Sequence, residues 1–271
     1  MVKVLESTND MSLEPSTSPK TYQDVKTTLR WYTVAASAPI GLFTYFYLIP
    51  AAHRQRIESL FSDLSASPII SSIGAAVLIA GGFVFLSWFL IFVFEVHDKI
   101  YDRYFIRWRY FYDLDLILPT LTRPFGPALD PRFFESAGQH LYAFMKPYYH
   151  FVADGEHDHK INENLVLRFY EAVTKYWITQ INEVLLIAAL IIDFVYFWVY
   201  RHAHMDSERV SITFFIIVIW LILNRAAAQL FLRSVRRSTL DEIEDIQARF
   251  LHELENELKQ LHDKFNLKWR A

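Results

Sequence analysis

The chain contains no cysteine in 271 residues. That excludes disulfides, thiolate catalysis and cysteine-based zinc sites. Glycine is scarce, seven in all, which argues against a glycine-rich phosphate cradle. The sequence has no G-x-S-x-G, no P-loop and no H-E-x-x-H, so the common hydrolase, nucleotidase and zincin signatures are missing. There is no run of alternating apolar and polar residues long enough for a sheet. The net charge is −3, so nucleic acid is not an expected partner. The first thirty residues lack an apolar run and hold Ser, Thr, Pro and mixed charges. No cleavable signal peptide is expected there, and residues 1–30 read as a flexible tail.

What is present is apolar and aromatic. The chain is 53% hydrophobic and 17% aromatic, against roughly 45–50% apolar for soluble domains. The excess is local. A bilayer crossing takes about 20 apolar residues, and four stretches supply them: Trp31–Pro50 with Pro39 as a kink position, Ile69–Val96, Trp177–Tyr200 and Val210–Phe231. The last is the weakest, because Asn224 and Arg225 interrupt it. The predicted fold class is all-α: a four-span helical integral membrane protein with a helical cytoplasmic layer and a C-terminal amphipathic, coiled-coil helix.

Lys and Arg near the span ends set the orientation. Lys20, Lys26, Arg30, Lys99, Arg103, Arg107, Arg109, Arg168, Lys175, Arg233, Arg236 and Arg237 fall on one side, and Arg54, Arg56, Arg201 and Arg209 on the other. The bias predicts a multi-pass protein of an inner or plasma membrane with both termini cytoplasmic. Residues 31–96 and 177–233 are then two hairpins, 97–176 a cytoplasmic helical domain and 234–271 a cytoplasmic amphipathic helix.

Residues 97–119 read as a helical stalk continuing the second span. Pro119, Pro124, Gly126 and Pro127 mark turns. Asp130 and Pro131 start a helix over 131–145, residues 154–160 form a loop, and Asn162 caps a helix that runs into the third span. In the C-tail, Leu251, Leu254, Leu258, Leu261 and Phe265 follow the seam spacing of a coiled coil, while Ile243, Ile246 and Phe250 occupy a shifted seam. Self-association and packing on the chain's own central segment both use such a face.

The candidate chemistry lies in the apolar stretches. Glu183 is six residues into the third span, roughly 9 Å deep, and Arg225 is eight residues before Arg233, roughly 12 Å deep. The depths match, so the two can pair between the helices of one hairpin, with Asn182 and Asn224 beside them. Asp193 is about 24 Å from the cytoplasmic end, where no basic residue shares its depth. It lies on the same helical line as Asn182. It either lines a water-filled pathway or is packed as a neutral acid near Ser71, Ser72 or Tyr47. Ser72, Ala76 and Ala80 make a small-residue face for close helix packing. Below the second span, Arg103, Arg107, Trp108 and Arg109 read as headgroup or ligand contacts. No cofactor is expected. His150, His157 and His159 are weak metal candidates in a polar loop.

The expected function is a homo-oligomeric channel or membrane-permeabilising effector gated from the cytoplasm. Small ion channels and membrane effectors of bacterial defence systems share this layout, an analogy of architecture only. The alternative is an anchor or scaffold recruiting a cytoplasmic partner, and a third reading is a membrane-bound, metal-dependent enzyme. Expected partners are the lipid bilayer, further copies of the chain, and a cytoplasmic protein or small-molecule ligand.

Overall fold

The computed structural model describes residues 19–49, 51–61, 67–152, 161–200 and 207–270. Among them every regular element is helical. Helix α1 (Tyr22–Phe43) starts inside the stretch expected to be tail. The cause is a capping box: Thr21 Oγ1 accepts from the Asp24 N–H (3.2 Å), and Asp24 Oδ2 accepts from the Thr21 N–H (3.0 Å). α1 runs through Pro39 and widens into a π-helical turn, Thr44–Leu48. α2 (Ala51–Ser59) follows, then α3 (Pro68–Trp88) with a second π-helical turn, Phe89–Val93.

Three helices are long and apolar enough to cross a membrane: α3 with its π turn, Pro68–Val93; α8 (Glu163–Tyr200) up to Val195; and α9 (Ser207–Lys264) from Phe214 onwards. The expected span at 31–50 forms a helix but does not join them. Tyr32, Thr33, Ser37, Pro39, Thr44 and Tyr45 dilute its apolar character. The count of four is therefore corrected to three by this measure. The stalk expected below the second span is also broken. Glu95 sits in the left-handed region at φ 52°, which disfavours non-glycine residues and interrupts a right-handed helix. α4 (Val96–Tyr112) begins after that break. α8, by contrast, continues from its polar start into its apolar part, and α9 is helical from its apolar part down to Phe250.

The main contacts run from α3 to α1, from α1 to α8 and from α8 to α9. The long helices thus form a row rather than a closed bundle. The α1–α3 contact is backbone to backbone: a Cβ on Gly41 would stand 2.7 Å from Ala80 Cα. The small-residue face of α3 is used within the chain. α2 is held against this pair by Tyr45, whose hydroxyl donates to Glu58 Oε1 (2.5 Å) and lies 3.4 Å from Ser72 Oγ. Large apolar side chains stay exposed along the row, among them Ile73, Val77 and Phe85 on α3, Val184 and Ile191 on α8, and Phe215 and Trp220 on α9.

At the end of the row that holds Tyr22 lies a basal layer. It comprises α4, a π-helical turn Asp113–Ile117, α5 (Leu118–Leu121), a 3-10 turn Arg123–Ala128, α6 (Phe133–Gln139), α7 (Leu141–Val152) and the lower parts of α8 and α9. The helix expected over 131–145 is split at His140. Asn162 caps α8 as expected, its Oδ1 accepting from the Asn164 N–H (3.0 Å). Ile117, Leu118, Phe133, Phe144, Met145 and Ile246 are fully enclosed in one core.

The C-terminal seam joins this core. Leu254 and Leu258 are fully buried among α6, α7 and their neighbours, whereas Leu251 is 42% exposed. The two seams change register where the backbone leaves helical geometry, at Phe250 (φ −125°, ψ 21°). The coiled-coil reading is corrected accordingly: the apolar stripe has found its partner inside the chain. His262 latches the tail. Its Nε2 accepts from the Asp130 N–H (3.4 Å), so Nδ1 carries the proton and donates to the Leu258 carbonyl (2.8 Å). The Lys268 N–H donates to Asp130 Oδ2 (2.8 Å) and the Arg270 N–H to the Ala128 carbonyl (2.8 Å).

Candidate functional site

Two groups of polar residues stand out, one along the row and one beneath it. In the first, Arg225 Nη1 on α9 donates to both carboxylate oxygens of Glu183 on α8 (3.0 and 3.3 Å). Side-chain exposure is 25% for Glu183 and 59% for Arg225. The neighbouring amides make separate bonds. Asn224 Nδ2 donates to the Thr179 carbonyl (2.8 Å), and Asn182 Oδ1 accepts from the Tyr32 hydroxyl on α1 (2.7 Å). Three helices are thus tied together at one level. Matched depth on antiparallel helices brings the four predicted residues together.

Asp193 lies higher on α8 and is 4% exposed. Its Oδ2 is buried with no hydrogen-bond partner among the described residues. Ser71 and Ser72, proposed neighbours, bond elsewhere, to the Ser67 carbonyl (3.4 Å) and Tyr45 (3.4 Å). A buried carboxyl oxygen left bare is costly and calls for water, a proton or another chain.

The second group sits where α4, α7, α8 and α9 meet. Helical periodicity splits the basic cluster of α4. Arg103 and Arg107 point outward. Trp108 turns inward and packs on Tyr112, Tyr176 and Trp177, with centroids 4.8, 5.7 and 5.9 Å away. Arg109 is also inward, its side chain 16% exposed. The headgroup reading of Trp108 and Arg109 is therefore corrected. Arg109 Nε stands 2.7 Å from Asp113 Oδ1, one helical turn on, and its guanidinium lies over the Phe169 ring, 5.5 Å from the centroid. Asp113 Oδ2 accepts from the Tyr149 hydroxyl (2.8 Å).

On the facing helix, Glu242 is fully buried. Its Oε2 accepts from Tyr148 (2.5 Å), and its Oε1 has no hydrogen-bond partner among the described residues. Tyr112 and Thr239 share a hydroxyl bond beside it (2.9 Å). Burial pushes the Glu242 carboxyl up to about 8, with the Tyr148 bond and the Arg109 charge only partly offsetting it. Glu242 is thus mostly neutral at pH 7. Burial also pushes the Asp113 carboxyl up, against the opposing pull of Arg109 and Tyr149. The Tyr148 hydroxyl is raised well above its usual range by burial and by the neighbouring Glu242.

This network was not read from the sequence. Two signals were present: Thr239, Glu242, Ile243 and Ile246 share a helical face, which places a carboxyl among core residues. Asp113 follows Arg109 by one turn, the spacing of a helical ion pair. Nothing in the local pattern identifies Tyr148 as the partner of Glu242.

Of the metal candidates, His157 and His159 lie outside the described residues. His150 Nδ1 faces Glu257 Oε1 at 3.6 Å. No group of three His, Asp or Glu side chains placed to hold a metal occurs among the described residues.

No curated protein and no solved structure matches the chain. The model of the YmfE protein family matches residues 42–257, from the end of α1 to beyond the kink in α9. That span holds α3, α8, most of α9 and both polar groups except Tyr32, and the chain belongs to the YmfE protein family.

Proposed function

We propose that the protein is a membrane channel or permeabilising effector that conducts as a homo-oligomer and is gated from the cytoplasmic side. The observation that carries this reading is Asp193, a buried carboxyl with a bare oxygen on a helix long and apolar enough to cross a membrane. A row of helices encloses no lumen, so a pathway needs further copies of the chain. In the open state, with Asp193 uncovered, the Asp193 residues of several copies would form a ring that favours cations.

In this reading α1 is the fourth membrane helix. It lies between α3 and α8 and so meets less lipid, which accounts for its more polar composition. Both termini and the basal layer face the cytoplasm. α8 and α9 extend from the apolar region into the basal layer, so a displacement there moves the membrane helices as levers. The Glu183–Arg225 pair sits between the two ends and holds the closed arrangement.

The test is ion flux from liposomes holding the purified protein, wild type beside Asp193→Asn, with the oligomeric mass measured in the same detergent. Flux that changes in selectivity or rate with the substitution supports the proposal. Equal flux from both proteins removes Asp193 from the pathway.

A second reading, a membrane-anchored scaffold, is favoured by one observation. The basal layer has a continuous core of its own, and the C-terminal stripe is spent on that core. It predicts no flux, a single copy per particle, and a soluble partner retained on the basal layer.

A further inference from the structure

α4 carries a row that neither polar group uses. Lys99, Arg103 and Arg107 recur every four residues, about 12 Å along one helix face, and all three are exposed. Beside them Ile100 is 54% exposed, Tyr104 63% and Ile106 64%. α4 also contains Asp98 and Asp102, which its four basic residues, Lys99, Arg103, Arg107 and Arg109, outnumber. The opposite face is fully occupied: Phe105 packs on Tyr22 (4.8 Å) and Trp177 (5.6 Å), and Arg109 on Asp113. The packing fixes the height of the row. Trp177 is where the apolar run of α8 begins, and α4 follows directly on α3, itself apolar to Val93. Three cations interleaved with apolar and aromatic side chains at the edge of the apolar region complement a negative, flat and partly greasy surface.

We propose that the Lys99–Arg103–Arg107 face of α4 docks on the anionic headgroups of the adjoining phospholipid leaflet. The cations meet phosphates, while Ile100 and Tyr104 enter the boundary between headgroups and acyl chains. The left-handed turn at Glu95 lets α4 take this position independently of α3. The contact holds one wall of the basal layer against the bilayer.

The test is native mass spectrometry of the protein in mixed micelles of equal phosphatidylglycerol and phosphatidylcholine. The wild type should retain the anionic lipid preferentially, and 0.5 M salt should erase the preference by screening. Each cation near such a surface contributes about fivefold, so Arg103→Gln with Arg107→Gln should lower the preference by roughly tenfold or more. Arg103→Lys with Arg107→Lys should preserve it, as should Lys146→Gln, an exposed cation elsewhere in the basal layer. A preference unchanged in the Gln pair, or indifferent to salt, overturns the proposal. So does binding of glycerophosphate or single-stranded RNA to detergent-solubilised protein with the same dependence on Arg103 and Arg107, which would make the face a site for a soluble ligand.

Discussion

Tyr148 donates its hydroxyl to Glu242 across the interface of α7 and α9, 94 positions apart in the chain, and both side chains are closed off from solvent. The pair needs a proton on Glu242 to be at ease there. Above about pH 8 the carboxyl ionises with one oxygen unpartnered and the cation that acts on it, Arg109, already engaged by Asp113. The basal layer therefore holds a group whose charge depends on pH and whose helix leads to the apolar region.

The sign of the pH effect follows from the raised value. A carboxyl held at about 8 in the folded chain, against 4.5 ordinarily, binds its proton more tightly when folded. Its contribution is fully present below about pH 4.5 and is lost as the pH rises towards 8. Glu242→Gln cannot ionise. It should match the wild type within about 1 kcal/mol at pH 5 and be the more stable protein at pH 9. Thermal unfolding in detergent across this range gives the difference curve; a flat one rejects the buried neutral carboxyl. Tyr148→Phe removes the donor and should cost about 1–3 kcal/mol.

Glu183 and Arg225 are predicted to depend on each other. Removing either partner leaves a lone charge in the apolar region, costing roughly 1–3 kcal/mol. Glu183→Ala with Arg225→Ala should cost less than the sum of the singles. Unfolding in mixed micelles measures the cycle, and strictly additive single effects would falsify the coupling.

Two glycines should respond in opposite ways. Gly41→Ala forces α1 away from the Ala80 backbone and should cost roughly 1–3 kcal/mol. Gly81 has nothing within 4 Å of a built Cβ, so Gly81→Ala should be neutral or stabilise by up to about 1 kcal/mol through helix propensity. Equal effects at both positions would contradict the α1–α3 contact.

The C-terminal stripe gives a contrast between fold and assembly. Leu258→Ala opens the core and should cost about 2–5 kcal/mol without altering the particle mass. Leu251→Ala, at an exposed position, should change little. If Leu251→Ala lowers the mass in light scattering, the stripe works between copies.

A chain without cysteine is ready for topology mapping. His53 and Lys268 are exposed and lie on opposite sides in the proposed arrangement. A membrane-impermeant maleimide should label His53→Cys in intact cells, and Lys268→Cys only after permeabilisation. The reverse pattern would invert the orientation, and labelling of both in intact cells would refute the membrane placement.

Composition and periodicity alone determine that this protein is helical, that at least three of its helices can cross a membrane, and that Glu183 and Arg225 share a level. Those properties depend on local spacing: 1.5 Å of rise and 3.6 residues per turn fix depth and face before any packing occurs. The register slip at Phe250 was legible for the same reason. What the leucine stripe packs against was not, because an apolar face is satisfied equally by another copy or by the chain itself. The tertiary structure decided that, turned Arg109 inward while leaving Arg107 outside, and brought Tyr148 to Glu242. Such pairings rest on contacts between distant segments, where burial sets both the partner and the charge.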